Sequence, residues 1–384
     1  MINYGKQSIN RDDINAVVET LSSDWLTQGP KIREFELALA DYCGAKYAVA
    51  VSNGTAGLHL SNLVINSNPK TKIITVPITF LATANSIIYA DKDPAFVDIC
   101  ENSFTMDCKE LDRVFSENNH YSAIIPVHLG GVICDMESIK NIANKNNCWV
   151  IEDACHALGG EWIDSTGKKQ KVGNCSYSDL TIFSFHPVKQ ITTGEGGAIT
   201  TNNKELYEKL LLLRTHGMTK DSRILNENHG GWYYEMHTLG YNYRITDFQA
   251  ALGIEQLKRN DEWVKARRAL VENYDTAFKN IKEIRPQNHP DDDKGYSYHL
   301  YIIQCEKRLH LYEYLKKNGI NTQVHYIPIH LQPYYKNRYG YKPGDYPISE
   351  KYYEDALSLP LYPKLKNLDQ KKIISLVKKF YEKN

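Results

Sequence analysis

Short apolar runs alternate with helix-spaced segments between residues 47 and 183, and this rhythm constrains the fold more than any other feature of the chain. The runs lie at 47–51, 73–76, 95–99, 123–127, 149–152 and 180–183, each the length of a buried strand. Segments 79–89 and 138–146 between them read as helices, as do 11–22 and 32–42 upstream, where Ile14, Val17 and Leu21, then Ile32, Phe35 and Leu39, recur at helical spacing. Parallel neighbours need a crossover, usually a helix. The rhythm therefore predicts an α/β fold with a mainly parallel sheet covered on both faces.

The pattern changes downstream. Residues 246–280 predict one long helix, with Thr246 and Asp247 as cap candidates. A polar joint at 285–295 follows, then a strand near 298–305, a helix at 307–318, a strand at 321–326, a Pro/Tyr-rich stretch and a final helix at 368–382. We expect a large domain over 1–260, with residues 1–30 contributing a substrate loop, and a smaller α+β domain over 261–384. A chain of 384 residues has room for both.

Composition excludes several classes. Forty-six Lys+Arg balance forty-six Asp+Glu, so no basic excess points to nucleic acid. Zero net charge leaves little repulsion against self-association. No run approaches the ~20 apolar residues of a membrane span. The N-terminal residues carry no apolar signal segment, and the eight cysteines form no C-x-x-C pair. The expectation is a cytoplasmic protein without a bound metal.

Three segments carry chemistry. Ser52-Asn-Gly-Thr-Ala-Gly-Leu58 is a small-residue turn between a strand and a helix, where free N–H groups and the helix dipole suit an anion. It lacks the glycine spacing of Walker and dinucleotide loops, and alone it reads better as a tight strand-to-helix turn. In Val150-Ile-Glu-Asp-Ala-Cys-His156, a strand ends on two carboxylates, where α/β sheets bind ligands. Asp153 could hold a proton on a buried cationic ring or merely cap a helix. In Phe183-Ser-Phe-His-Pro-Val-Lys189-Gln-Ile-Thr-Thr-Gly-Glu-Gly-Gly197, a lysine sits among apolar residues before a glycine run that would let backbone pass close to a bulky ligand. Such a lysine loses its charge readily, as a Schiff-base lysine must.

The order of these segments resembles the type I, aspartate-aminotransferase-like fold of pyridoxal-phosphate enzymes. More sharply, Glu152–Ala157, Ser184–Gly197, Pro77–Thr83, Arg214–Gly217 and Gly240–Arg244 are similar to signature strings of the DegT/DnrJ/EryC1/StrS sugar-nucleotide aminotransferases. The resemblance spans nearly the whole chain. It implies Lys189 as the Schiff-base lysine and proton carrier, and Asp153 as partner of the pyridine nitrogen. It implies His156 beside the ring hydroxyl, Phe80 on the ring face, and Gly54, Thr55, Ala56 and Ser184 around the cofactor phosphate. Asn242 would come from the partner subunit of a homodimer with a shared site. Tyr4, Trp25, Leu26, Thr27, Gly54, Ser184, His186, Asn242, His325 and Tyr326 fall on substrate-contact segments.

Leu26–Gly29, His216–Met218 and Gln323–Tyr326 look most like the members that serve pseudaminic acid synthesis and flagellin glycosylation. The resemblance then implies amino transfer from L-glutamate, leaving as 2-oxoglutarate, to C4 of a UDP-linked 4-keto-6-deoxy-N-acetylhexosamine, with pyridoxamine phosphate between the half-reactions. The alternatives are a GDP-perosamine-type, UDP-bacillosamine-type or 3-keto-sugar enzyme, a sugar 3-dehydratase, and a non-catalytic regulator of the same fold. Lys189 argues against the dehydratase, which carries His there, and Lys189 with Asp153 argues against the regulator.

Overall fold

The architecture follows from where the apolar residues go. A computed structural model describes residues 1–65, 71–117, 120–287 and 295–382. Its chain order begins α1 (Arg11–Leu21), α2 (Pro30–Cys43), β1 (Tyr47–Val51), α3 (Gly54–Val64), β2 (Lys72–Thr75), α4 (Leu81–Tyr89), β3 (Asp93–Phe96), α5 (Cys108–Glu117), β4 (Tyr121–Ile124), α6 (Met136–Lys145) and β5 (Trp149–Asp153). A short hairpin, β6 (Glu161–Ile163) and β7 (Lys169–Lys171), precedes β8 (Leu180–Ser184), β9 (Gly197–Thr201) and α7 (Lys204–Arg214). A second small ladder, β10 (Met218–Thr219) with β11 (Glu235–Met236), leads to α8 (Asp247–Leu257) and α9 (Asn260–Phe278). Beyond them come β12 (Ile284–Pro286), β13 (Tyr301–Cys305), α10 (Arg308–Lys317), α11 (Pro333–Tyr339), α12 (Pro347–Asp355), β14 (Ala356–Leu359) and α13 (Asn367–Glu382).

The central sheet has the order β1-β9-β8-β5-β4-β2-β3. Strands β8, β5, β4, β2 and β3 pair in parallel, and β9 alone runs against its neighbours. Alternation divides each strand between two cores. Ala48 and Ala50 of β1 face one cluster, with Phe35 and Val150, while Val49 and Val51 face another, with Ile151 and Ile182. Both faces are thus buried, which is why these strands carry apolar residues on both faces rather than alternating with polar ones. The smaller unit is an antiparallel sheet, β12-β13-β14, packed with α10 and α13 around its own cluster.

Four expectations change. The helix over 246–280 is two helices, broken at Lys258-Arg259. Arg259 binds Asp13 at 2.6 Å and buried Asn260 binds the Tyr42 hydroxyl at 2.8 Å, so tertiary partners re-aim the chain while apolar spacing continues through the break. Segment 321–326 is not a strand. It makes one isolated bridge, Gln323 to Ser358, and no ladder. The Pro/Tyr-rich stretch holds α11 and α12, each opened by a proline at its first turn, where the missing N–H has no intrahelical partner to lose. Lastly, the glycine run at 194–197 leads into β9, and the close approach it allows is to backbone. A Cβ on Gly197 would lie 2.6 Å from the Asn53 carbonyl carbon and 2.7 Å from Gly54 N. Of the polar joint at 285–295, residues 288–294 lie outside the described residues.

Candidate active site

A cavity of about 1000 Å³ opens where β5 and β8 end and α3 begins. Three segments of its wall come from adjacent strands or the helix between them. Asn53 caps α3, its side-chain oxygen accepting from Ala56 N at 2.8 Å. Ala56 N–H is therefore already used, and the N–H groups of Gly54 and Thr55 are left at the positive end of the helix dipole. Ser184 ends β8 beside them: a Cβ on Gly54 would stand 3.0 Å from Ser184 Cβ. These groups form a cradle sized for a small anion.

Asp153 ends β5 at the cavity floor. Its Oδ2 accepts from the Thr83 hydroxyl at 2.7 Å, and its Oδ1 accepts from Cys155 N at 3.2 Å. Thr83 in turn bonds the Thr79 hydroxyl at 2.7 Å. Each carboxylate oxygen retains a lone pair for a ligand N–H. Glu152, one residue earlier, faces the other side of the strand. It binds His128 at 2.8 Å, Ser178 at 2.8 Å and Thr181 at 2.6 Å, so it is a structural anion.

Lys189 follows β8 in a turn closed by its own N–H to the His186 carbonyl at 2.9 Å. Its side chain lines the cavity, and burial lowers its pKa while Cys155 and Asp153 pull it back up. Among the described residues its ammonium has neither a hydrogen-bond nor an ion-pair partner, an arrangement that suits an amine kept for covalent chemistry.

His156 is buried, and its ring is held on three sides. Nδ1 accepts from Gly130 N at 3.3 Å, so Nε2 carries the proton and donates to the Tyr326 hydroxyl at 3.2 Å. The His299 ring packs against it with centroids 4.4 Å apart. Burial drives the His156 pKa well below its ordinary value, and Lys189 adds to the effect. Phe80, 56% exposed, faces Tyr326 across the opening at 5.9 Å between centroids.

The opposite wall is built from Tyr4 and Gln323–Ile327. His325 binds Ser358 through Nδ1 at 2.8 Å, and burial lowers its pKa to about 3. Burial raises the Tyr326 phenol well above its ordinary value, so it keeps its proton.

The structure thus gathers Tyr4, Gly54, Thr55, Ala56, Phe80, Asp153, His156, Ser184, His186, Lys189, His325 and Tyr326 around one cavity. Trp25, Leu26, Thr27 and Asn242 are exposed and do not line it. The loop carrying the first three is pinned by Asp247, which accepts from Gly29 N at 2.7 Å and Lys31 N at 2.9 Å. Asn242 lies beside Tyr243, which does line the cavity. Sequence reasoning missed Thr83, His299 and Glu195 in the lining. Glu195 and Thr83 lay within quoted strings, but neither was singled out. His299 carries no local signal, because it is placed by contacts distant in the chain.

The residues present fit pyridoxal phosphate: an anion cradle at a helix N-terminus, a carboxylate on the floor, and an unpaired lysine in apolar surroundings. Residues 7–378 match the DegT/DnrJ/EryC1/StrS aminotransferase family. The chain is 40% identical to the spore coat polysaccharide biosynthesis protein SpsC of Bacillus subtilis, covering 98% of this chain and 96% of that protein. It is 38% identical to the UDP-4-amino-4,6-dideoxy-N-acetyl-beta-L-altrosamine transaminase of Campylobacter jejuni subsp. jejuni serotype O:23/36, covering 99% and 100%. Helicobacter pylori PseC, an aminotransferase involved in the biosynthesis of pseudoaminic acid, superposes with a TM-score of 0.91 at 32% identity over the full length of both chains. A lysine in this setting and a family match over almost every residue lead to one conclusion: the chain belongs to the DegT/DnrJ/EryC1/StrS family and is a pyridoxal-phosphate-dependent sugar aminotransferase.

Proposed function

We propose that this enzyme transfers the amino group of L-glutamate to C4 of a UDP-linked 4-keto-6-deoxy-N-acetylhexosamine, the UDP-2-acetamido-2,6-dideoxy-β-L-arabino-hex-4-ulose of pseudaminic acid synthesis. The observation that carries the chemistry is the unpaired amine of Lys189 in a cavity that also holds Asp153 and the α3 N-terminus. The choice of sugar is supported by the 38% identity to the altrosamine transaminase.

When bound, pyridoxal phosphate supplies an electron sink for the carbon that loses or gains a proton. The chain's own residues do the rest. Gly54 and Thr55 N–H groups and Ser184 hold the phosphate. Asp153, kept in place by Thr83, holds a proton on the ring nitrogen. Phe80 and His156, which line the same cavity, would contact the bound ring. Lys189, its charged form disfavoured by burial, carries the proton between donor and acceptor carbons. Tyr4, His186, His325 and Tyr326 meet the sugar nucleotide, and Trp25, Leu26 and Thr27 reach it from a loop outside the cavity wall. Asn242 serves the site of the partner subunit in a cytoplasmic homodimer.

The test is a coupled assay. UDP-GlcNAc passed through a 5-inverting 4,6-dehydratase supplies the keto sugar, and mass spectrometry and NMR identify the product with glutamate as donor. A 4-amino sugar supports the proposal; recovery of unreacted keto sugar rejects this substrate. Lys189→Ala should lose both the visible absorbance of the bound cofactor and all turnover.

A further inference from the structure

One buried imidazole at the cavity has no place in that scheme. His299 lies in the segment 296–300, which bridges the two cores. Arg268 donates to the Tyr296 carbonyl at 2.8 Å, Arg267 to the His299 carbonyl at 3.3 Å, and Leu300 N to the Gly130 carbonyl at 3.1 Å. The Ser297 hydroxyl donates to the His156 carbonyl at 3.0 Å. Gly131 makes room for this segment: with φ +94°, a Cβ there would stand 2.7 Å from Tyr298 N and 2.9 Å from His299 N. The backbone is thus fixed from both sides, and it delivers the His299 ring onto His156.

The state of that ring follows from its surroundings. His299 is 4% exposed, it lines the cavity, and its Nδ1 is buried without a hydrogen-bond partner. A neutral imidazole has one N–H and one bare nitrogen. An orphaned buried N–H is rarer in folded proteins than an under-satisfied acceptor, so the bare nitrogen belongs at Nδ1. Nε2 then carries the proton, and it is the nitrogen left for the cavity. Burial lowers the pKa of His299 well below its ordinary value, and Lys189, Arg267 and the neighbouring rings of His156 and His325 all push the same way. A phenyl ring would fill the same space without an orphaned nitrogen, so packing alone does not call for histidine.

We propose that His299 is a ligand-binding residue of this site, presenting a neutral Nε2–H donor to an oxygen of the bound ligands beside His156. The recognised group is an anionic or carbonyl oxygen, supplied by the ring hydroxyl of pyridoxal phosphate or by the keto group of the sugar. The inference rests on the functional reading above for the identity of the ligand, but not for the state of the ring.

The ring state is tested on the cofactor-free protein by ¹⁵N NMR of labelled histidines. A neutral Nε2–H tautomer for His299 at pH 7 is expected; an Nδ1–H tautomer or a cation overturns the proposal, whether or not the protein proves to be a sugar aminotransferase. The binding role is tested with His299→Phe and His299→Asn in the cofactor-loaded enzyme. Asn keeps a side-chain donor, and Phe keeps only bulk. If the ring oxygen is the partner, Phe raises the pH midpoint of the cofactor's visible absorbance. If the sugar is the partner, that midpoint stays and Phe slows the keto-sugar half-reaction by about tenfold or more, with the glutamate half-reaction unchanged. Asn should restore most of either loss. A Phe variant equal to wild type in both readouts, or Asn and Phe equally impaired, overturns the role and leaves His299 a packing residue.

Discussion

Thr83 shows how much a single hydroxyl can contribute at this site. It donates to Asp153 Oδ2 at 2.7 Å in a buried setting, and such charge-assisted bonds are the strong ones. It aims the carboxylate rather than touching the reaction. Thr83→Val should therefore lower kcat by about tenfold, less than Asp153→Asn, with KM for the sugar nucleotide little changed. Steady-state kinetics on the pair decides this; equal losses would mean that Thr83 does more than aim. Glu152 makes the opposite case. Burial raises its pKa, but bonds from His128, Thr181 and Ser178 outweigh burial and hold it below its ordinary range. Glu152→Gln should cost about 1–3 kcal/mol in urea unfolding and leave the activity of folded enzyme intact. From sequence the two adjacent carboxylates looked alike as strand-end anions. Their roles separate because successive strand residues face opposite sides of the sheet, and the partners waiting on each side come from elsewhere in the chain.

Among the elements, α3 and β9 depend on each other. The anion cradle exists because Gly197 lets the first residue of β9 lie against the backbone of Asn53 and Gly54. Gly197→Ala must push that helix end away. We expect pyridoxal phosphate affinity to fall at least about tenfold and stability to drop by about 1–3 kcal/mol, measured by cofactor titration and chemical unfolding. Asn53→Ala removes only the cap and should cost about 1 kcal/mol. The glycine run was readable as a place of close approach; what approaches was not. Periodicity likewise found α8 and α9 but fused them, since hydrophobic spacing carries no information about a turn forced by Asp13 on Arg259.

At the scale of the molecule, four buried imidazoles line the cavity, His59 among them, and burial depresses the pKa of three of these farthest. His156, His299 and His325 all have pKa values depressed below 6.5, chiefly by burial. In the unfolded chain they take up protons below about pH 6.5; in the folded chain they do not. The unfolded state then binds more protons, so stability is lost as pH falls through and below 6.5. At about 1.4 kcal/mol per unit and per group, the three together cost about 4 kcal/mol at pH 5.5. Urea midpoints across pH 5–8 check this, and His299→Asn should remove about a third of the effect. The proposed shared site makes a second prediction. Co-expressed Lys189→Ala and Asn242→Ala subunits, each inactive alone, should regain activity in mixed dimers, where one site is intact. No recovery would place Asn242 outside the partner's site.

The sequence by itself determined the family and the alternation that builds a mainly parallel sheet, and it singled out Lys189 and the strand-end Asp153 as candidates. Those are carried by contiguous strings and local periodicity, which a linear reading detects. Only the tertiary structure decided that Thr83 aims Asp153 from 70 residues away, that Tyr326 meets His156 from 170 residues away, and that His299 faces the same cavity. The first pairing depends on where α4 lies against the end of β5, and the other two on how the large and small units pack against each other. No local pattern of residues encodes that packing, because it is fixed by the summed burial of side chains far apart in the chain.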